Sequence, residues 1–214
     1  MAAPDSRPRI RPWMIGTVAF LAVVAVGAAT TTYRSISDVS SAAEEAAFSP
    51  AEYADERFES EIVPQIEEDA VDLTTLLQEL DAGGDEAEYG NSSGSSGNAY
   101  SFPVTFTGTA GAQEGAIVPV TVAGVPDDVT VQLQVGPAIN GTALRDATGT
   151  VSFNDFTNQL EYQEVATEFN NRVRDGVLSD IEIAEGETVE VTGAFTRINP
   201  ALVSVVPVDL AVAP

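Results

Sequence analysis

"NQLEYQEVATEFNNRVRDG", residues 158–176, is the stretch on which the fold turns. Tyr162, Val165, Ala166, Phe169 and Val173 recur at i, i+3, i+4, i+7 and i+11, one apolar stripe of a helix. Gly176 stops it. Glu168 and Arg172 form an i,i+4 pair on the wet face. On either side of this segment the hydrophobic period is two, so a single helix interrupts a run of strands.

Three strands precede it. Phe102, Val104 and Phe106 alternate with Pro103, Thr105 and Thr107; Val118, Val120 and Val122 follow the same pattern, then Val129, Val131, Leu133 and Val135. Two strands come after it, one with Val189 and Val191, the other with Val206, Val208, Leu210 and Val212 on one face. Each segment has one dry and one wet face, as in an antiparallel sheet around one core. Five strands with a helix between the third and fourth is the order of a small Greek-key barrel of the OB type. The expected class is therefore mainly β with α, the barrel spanning residues 101–214. Pro119 and Pro207 suit partly open edges.

The N-terminal side reads as helices and linkers. In region 48–84, Ser49, Pro50 and Glu52 form a helix start, with Phe48 and Tyr53 as a hydrophobic staple. Pro64 should break or kink that helix near Val63. Asp72 caps a second helix whose Leu73, Leu76, Leu77 and Leu80 share a face, ended by Gly83 and Gly84. Residues 85–100 read as a Gly/Ser-rich flexible connector, and 34–47 as a polar stalk.

Residues 1–12 carry Arg7, Arg9 and Arg11, and no charge occurs from Pro12 through Tyr33, a run of 22 residues. That is close to the ~20 needed to span a bilayer. Arg on the N-terminal side, with Trp13 and Tyr33 at the two interfaces, makes 1–12 cytoplasmic and 13–33 a transmembrane signal-anchor. The denser apolar part, Met14 to Ala29, also fits a cleavable signal peptide cut near Gly27–Ala29. Either reading exports the remainder of the chain. The expectation is a single-pass membrane protein with residues 34–214 extracytoplasmic.

Composition prunes the chemistry. There are 33 acids against nine basic residues, all Arg, for a net charge of −24. Such a surface repels nucleic acid and anionic lipid heads, although OB barrels often bind nucleic acid. Cys, His and Lys are absent, which removes thiolate, imidazole and Schiff-base chemistry and the commonest metal ligands. An enzyme would have to work with carboxylates. Glu161 with Asp155 or Glu164 can be imagined as a glycosidase pair, but nothing singles them out. The reading is no enzyme, no metal and no cofactor. Asp127–Asp128 reads as turn chemistry rather than a calcium loop.

Side-chain forks, the carboxamides above all, gather in residues 134–172. Arg145, Asp146, Asn154, Asp155, Asn158, Gln159, Glu161 and Tyr162 could grip the hydroxyls of a sugar or polyol while a ring covers its apolar face. A structural reading competes. Asn158 and Glu161 fit a capping box, and Asp155 suits the positive end of the helix. Arg145 could pair with Asp155 or Asp146 inside the barrel mouth, with Phe153 and Phe156 in the core.

The pieces "VDLTTLL" (71–77), "LQVGPAINGTALRDA" (133–147), "FNDFTNQLEY" (153–162), "VTGAF" (191–195) and "VPVDLAVAP" (206–214) together resemble domain-of-unknown-function family 2291, the predicted periplasmic lipoproteins. The resemblance implies an OB-like barrel and an envelope protein often encoded beside sugar-type ABC transporters, whose subunits would be partners. It implies no reaction. With no Cys to acylate, this chain departs from the lipoprotein label, and a protein anchor at 13–33 would replace the lipid.

Overall fold

A computed structural model describes residues 48–92 and 99–213. The expected anchor at 13–33, the expected stalk at 34–47 and the expected cytoplasmic segment 1–12 lie outside the described residues. Among the described residues, no helix is long and apolar enough to cross a membrane.

The barrel has five strands: β1 (Ser101–Ala110), β2 (Ile117–Thr121), β3 (Thr130–Gln134), β4 (Thr188–Thr196) and β5 (Leu202–Ala213). Their order around the barrel is β1-β2-β3-β5-β4, closed by β4 pairing back onto β1 over nine residues. Closure removes the partly open edges expected from the prolines. All pairings among these five strands are antiparallel except β3 with β5, which run parallel from Thr130↔Leu202 to Leu133↔Val205. The alternating residues fill the interior: Phe102, Val104, Phe106, Val118, Val120, Val131, Leu133, Val189, Val191 and Phe195 are all buried in one cluster.

The last strand departs from simple alternation. Thr192 faces Asp209 and Gly193 faces Pro207, so Val208 is an extra residue in a β-bulge. The bulge reverses which face of β5 is inside. Val203, Val205 and Leu210 belong to the barrel core, whereas Val206 and Val208 belong to a second core outside it. The expected single dry face through Val206, Val208, Leu210 and Val212 is thus split. Pro207 sits at this bulge. Gly193 is required opposite it, because a Cβ there would lie 2.3 Å from the Val206 carbonyl oxygen.

The second core lies between the outer face of β4–β5 and a layer of helices. It joins Ala194, Val206 and Val208 to side chains of α1 (Pro50–Arg57), α2 (Val63–Asp69), α4 (Ala143–Ala147) and α5 (Gln159–Arg172). The helical region therefore folds onto the barrel. The expected start of α1 is present: the Glu52 N–H donates to Ser49 Oγ, and the Phe48 and Tyr53 rings are 5.7 Å apart. The expected break at Pro64 is absent. A π turn, Phe58–Ile62, joins α1 to α2, and the Val63 N–H donates to the Phe58 carbonyl five residues back. The wider turn gives room for the proline ring, and Pro64 enters α2 in its first turn, where its missing N–H costs nothing.

A two-residue parallel segment, Val71–Asp72, pairs with β1. It leads into α3 (Leu73–Asp81), whose four leucines share one face as expected and pack with it on the barrel core, and whose expected cap, Asp72, accepts from the Thr75 N–H. Residues 85–92, expected as the start of a flexible connector, are folded in. They form a 3-10 turn at Glu86–Glu88, an ion pair from Glu86 to Arg197 and a bridge from Asn91 to Ser101.

Candidate functional site

The sequence cluster 145–162 is where chemistry was expected, and the structure divides it into a buried part and an exposed part. Arg145 and Asp146 are on α4, and Tyr162 is in the second turn of α5, with α4 lying against β1, β4 and α5. All three are buried, Arg145 to 1% exposure. They sit in the second core, between helices and the outside of the barrel, rather than in the barrel mouth.

The buried part closes on itself. Arg145 Nε donates to Asp146 Oδ1 at 2.7 Å and Nη1 to the Tyr162 carbonyl at 2.8 Å. Nη2 is 2.7 Å from the same Asp146 oxygen, an ion contact without hydrogen-bond alignment. The guanidinium carbon stands 3.5 Å from the centre of the Tyr162 ring, a close cation–π stack. The Tyr162 hydroxyl donates to Asp146 Oδ1 at 3.4 Å, and Thr142 Oγ1 donates to Oδ2 at 2.6 Å. The Arg145 partner is thus Asp146 and not Asp155. Thr142, one turn before Asp146, was not singled out from sequence; a threonine four residues ahead of an acid is the only local signal.

The exposed part is helix-capping chemistry. Asn158 Oδ1 accepts from the Leu160 and Glu161 N–H groups at 2.9 and 3.0 Å. Glu161 reaches back with both oxygens, one to the Thr157 N–H and one to Asn158 Nδ2, each at 2.9 Å. Asp155 accepts from the Ser152 N–H in a capping box of the short 3-10 turn Phe153–Asp155, with Ser152 Oγ accepting from Asn154. That turn is an S-x-x-D pattern readable in the sequence but overlooked. Asn154 and Gln159 are exposed beside it. Phe156 is core, packed 5.3 Å from Phe48 and 5.4 Å from Tyr53. Phe153, expected in the core, is 42% exposed and meets Tyr162 edge-on; it is the first residue of the 3-10 turn, which carries it outward. Burial pushes the nearby Tyr53 phenol up from its ordinary value although Arg57 draws it down, so it stays neutral.

The concave surfaces are elsewhere on the barrel. A cleft of about 450 Å³ lies at one end, between Gln113, Val135 and the segment Leu178–Ala184. At the other end, α3 and the β2–β3 and β4–β5 loops enclose about 320 Å³ between Leu77, Asp81, Pro126, Asp128, Arg197 and Pro200. A third, about 380 Å³, runs along β2–β3 from Gly111 to Pro126. Among the described residues, no group of acidic side chains is arranged to hold a metal ion. Asp127 and Asp128 occupy the middle of a turn closed by the Val129 N–H on the Pro126 carbonyl.

A family model described as predicted periplasmic lipoprotein (DUF2291) matches residues 20–211. The chain belongs to this family. No curated protein matches it. Its fold is similar to that of an OB-fold protein from Thermotoga maritima, solved by crystallography, with a TM-score of 0.59 and 21% identity over 78% of this chain and 99% of that one. At that identity the likeness concerns the fold alone. Membership makes this chain one of a family of predicted periplasmic, membrane-associated proteins of unknown function. Its own departure is the absence of any Cys to carry a lipid.

Proposed function

We propose that this protein is a non-catalytic extracytoplasmic accessory module, held at the membrane by residues 13–33 and working beside a sugar-type ABC transporter. One observation carries the choice between partner protein and small ligand. Six of the eight candidate side chains in this segment are already engaged: Arg145, Asp146 and Tyr162 close on each other, and Asp155, Asn158 and Glu161 cap turns. A ligand there would have to displace bonds that hold the helix layer together. The same engagement argues against a carboxylate hydrolase, since Asp155 and Glu161 face backbone donors and not a common cleft. Acidity argues against nucleic acid.

A neutral polyol keeps one support, the exposed Phe153 ring next to Asn154 and Gln159. The two readings separate in one pair of measurements on the full chain. Co-purification with transporter subunits and no thermal shift with any of a panel of sugars and polyols is the expected result. A sugar-induced shift lost on Gln159→Ala would replace the accessory reading by the ligand one. Hydrolysis of a chromogenic glycoside, abolished by Glu161→Gln, would end both.

A further inference from the structure

The end of the barrel roofed by α3 has the features of a docking surface. Its cleft has apolar walls from Leu77, Pro126, Val129 and Pro200, and no aromatic ring among the described residues lines it. In the loop that supplies Arg197 and Pro200 to this cleft, Ile198 is 83% exposed, the most exposed large apolar side chain among the described residues. A lone exposed isoleucine is ordinary, but one in the loop that walls a cleft of mixed polar and apolar lining adds apolar surface to it. The loop that carries it is tied by its own hydrogen bonds. Ile198 N–H donates to the Thr196 carbonyl, Leu202 N–H to that of Asn199, and Ala201 N–H to Asn199 Oδ1 at 3.0 Å. The facing β2–β3 loop is pinned as well, by the Asp127–Asp128 turn and by Thr74 Oγ1 donating to the Ala123 carbonyl. A knob and a slot are therefore held ready, with little ordering left to do on association.

Charge names the occupant. Asp81, Asp127 and Asp128 are exposed around this cleft. The cation at its edge, Arg197, is matched by Glu86. A second copy of a chain with net charge −24 would bring more acid to an acidic rim, and an anionic lipid surface would do the same. A sugar would find no ring to stack on. We propose that this end of the barrel docks a basic, apolar segment of a partner protein, its aliphatic side chain entering the cleft against Ile198 and its Lys or Arg side chains meeting Asp81, Asp127 and Asp128. The proposal deepens the accessory-module reading, on which it rests, by assigning the partner face.

The test uses the full chain in non-ionic detergent and a fluorescent lysine–leucine peptide, with lysine–serine and glutamate–leucine peptides as comparisons, at physiological salt. The lysine–leucine peptide binds, and the other two do not. D127N/D128N and Ile198→Ser each weaken it roughly tenfold or more with unchanged melting temperature, since these side chains are exposed on loops. E182Q/E185Q removes the same charge at the opposite end of the barrel and leaves binding intact. Equal weakening by E182Q/E185Q would reduce the effect to general acidity and overturn the proposal. Failure of the peptide to bind, or equal binding of the lysine–serine peptide, would overturn it too. Concentration-dependent dimers abolished by Ile198→Ser would make a second copy the occupant instead. If peptide binding fails while transporter subunits still co-purify, the face is wrong and the module reading stands. If binding behaves as expected and no subunit co-purifies, the face stands and the transporter reading falls.

Discussion

The barrel interior and the helix-covered outer face of the same sheet are both dry, but they are held by different means. The interior is built from aliphatic and aromatic side chains that need only exclude water, such as Phe102, Val104, Val191 and Phe195. The outer face combines a comparable apolar cluster with a buried arginine, a buried aspartate and a tyrosine. Loss of one piece from a dry core leaves a cavity that partial collapse only reduces. Loss of one member of a buried ion pair has a different cost, because the other is left charged and alone. The lesson is that the polar residues which look most functional in this chain mark the place where α4 and α5 of the helix layer are locked to each other.

Breaking that lock is the severest test of the contrast. Arg145→Ala should cost about 3–5 kcal/mol, because Asp146 is left buried without its cation. The same site with Arg145→Met and Asp146→Leu together should recover most of that loss in urea melts. A double variant as unstable as the single one would show that packing, and not the orphaned charge, is the issue. Phe102→Ala in the interior should cost a similar ~3–5 kcal/mol by cavity formation alone, and no second substitution at a charged site should rescue it.

Gly193→Ala probes the bulge that divides the two cores. With 2.3 Å to the Val206 carbonyl oxygen, the strands must part, at roughly 1–3 kcal/mol. Hydrogen exchange should quicken at the Val206 and Val208 amides beside the second core and at Val205 and Leu210 of the barrel core, and protection unchanged in either set would break the picture of a shared bulge. Asn158→Ala should cost about 1 kcal/mol through loss of the α5 cap. If it instead leaves the melting temperature alone and abolishes ligand-induced stabilisation, the capping assignment fails.

The smallest expected effect is at Asp175, outside either core. A hydrogen bond from Arg174 holds its carboxyl below its ordinary value of 3.8. A depressed folded value gives stabilisation that is present above the unfolded value and lost as pH falls through the folded one. The group is exposed, so the melting temperature should hardly respond. Its titration, followed by NMR, should have a midpoint lower than usual, and an ordinary midpoint would dissolve the pair.

Much of this was legible from sequence. Period-two alternation found the five strands, and the i, i+3, i+4, i+7 stripe found α5 with Tyr162, Val165 and Phe169 on its buried face, and Val173 buried in the π turn that continues it. Local chemistry found the caps Ser49, Asp72 and Asn158, because an N-cap bond spans only two or three residues. Less visible were Pro64, absorbed by a π turn, and Val208, whose bulge exists only when β4 and Gly193 lie opposite.

The sequence by itself determined the acidic charge, the absence of Cys, His and Lys, the family, the succession of strands along the chain and the N-caps Ser49, Asp72 and Asn158, all of them set by composition or by near neighbours, whereas Gly176, expected to stop α5, lies inside the π turn Val173–Val177 that continues it. Only the tertiary structure decided that Arg145 reaches the Tyr162 carbonyl and ring on the neighbouring helix, and that Leu77, Asp128 and Arg197 meet around one cleft. Those facts depend on which segments the closed barrel brings side by side, and a long-range meeting leaves no periodic trace along a chain.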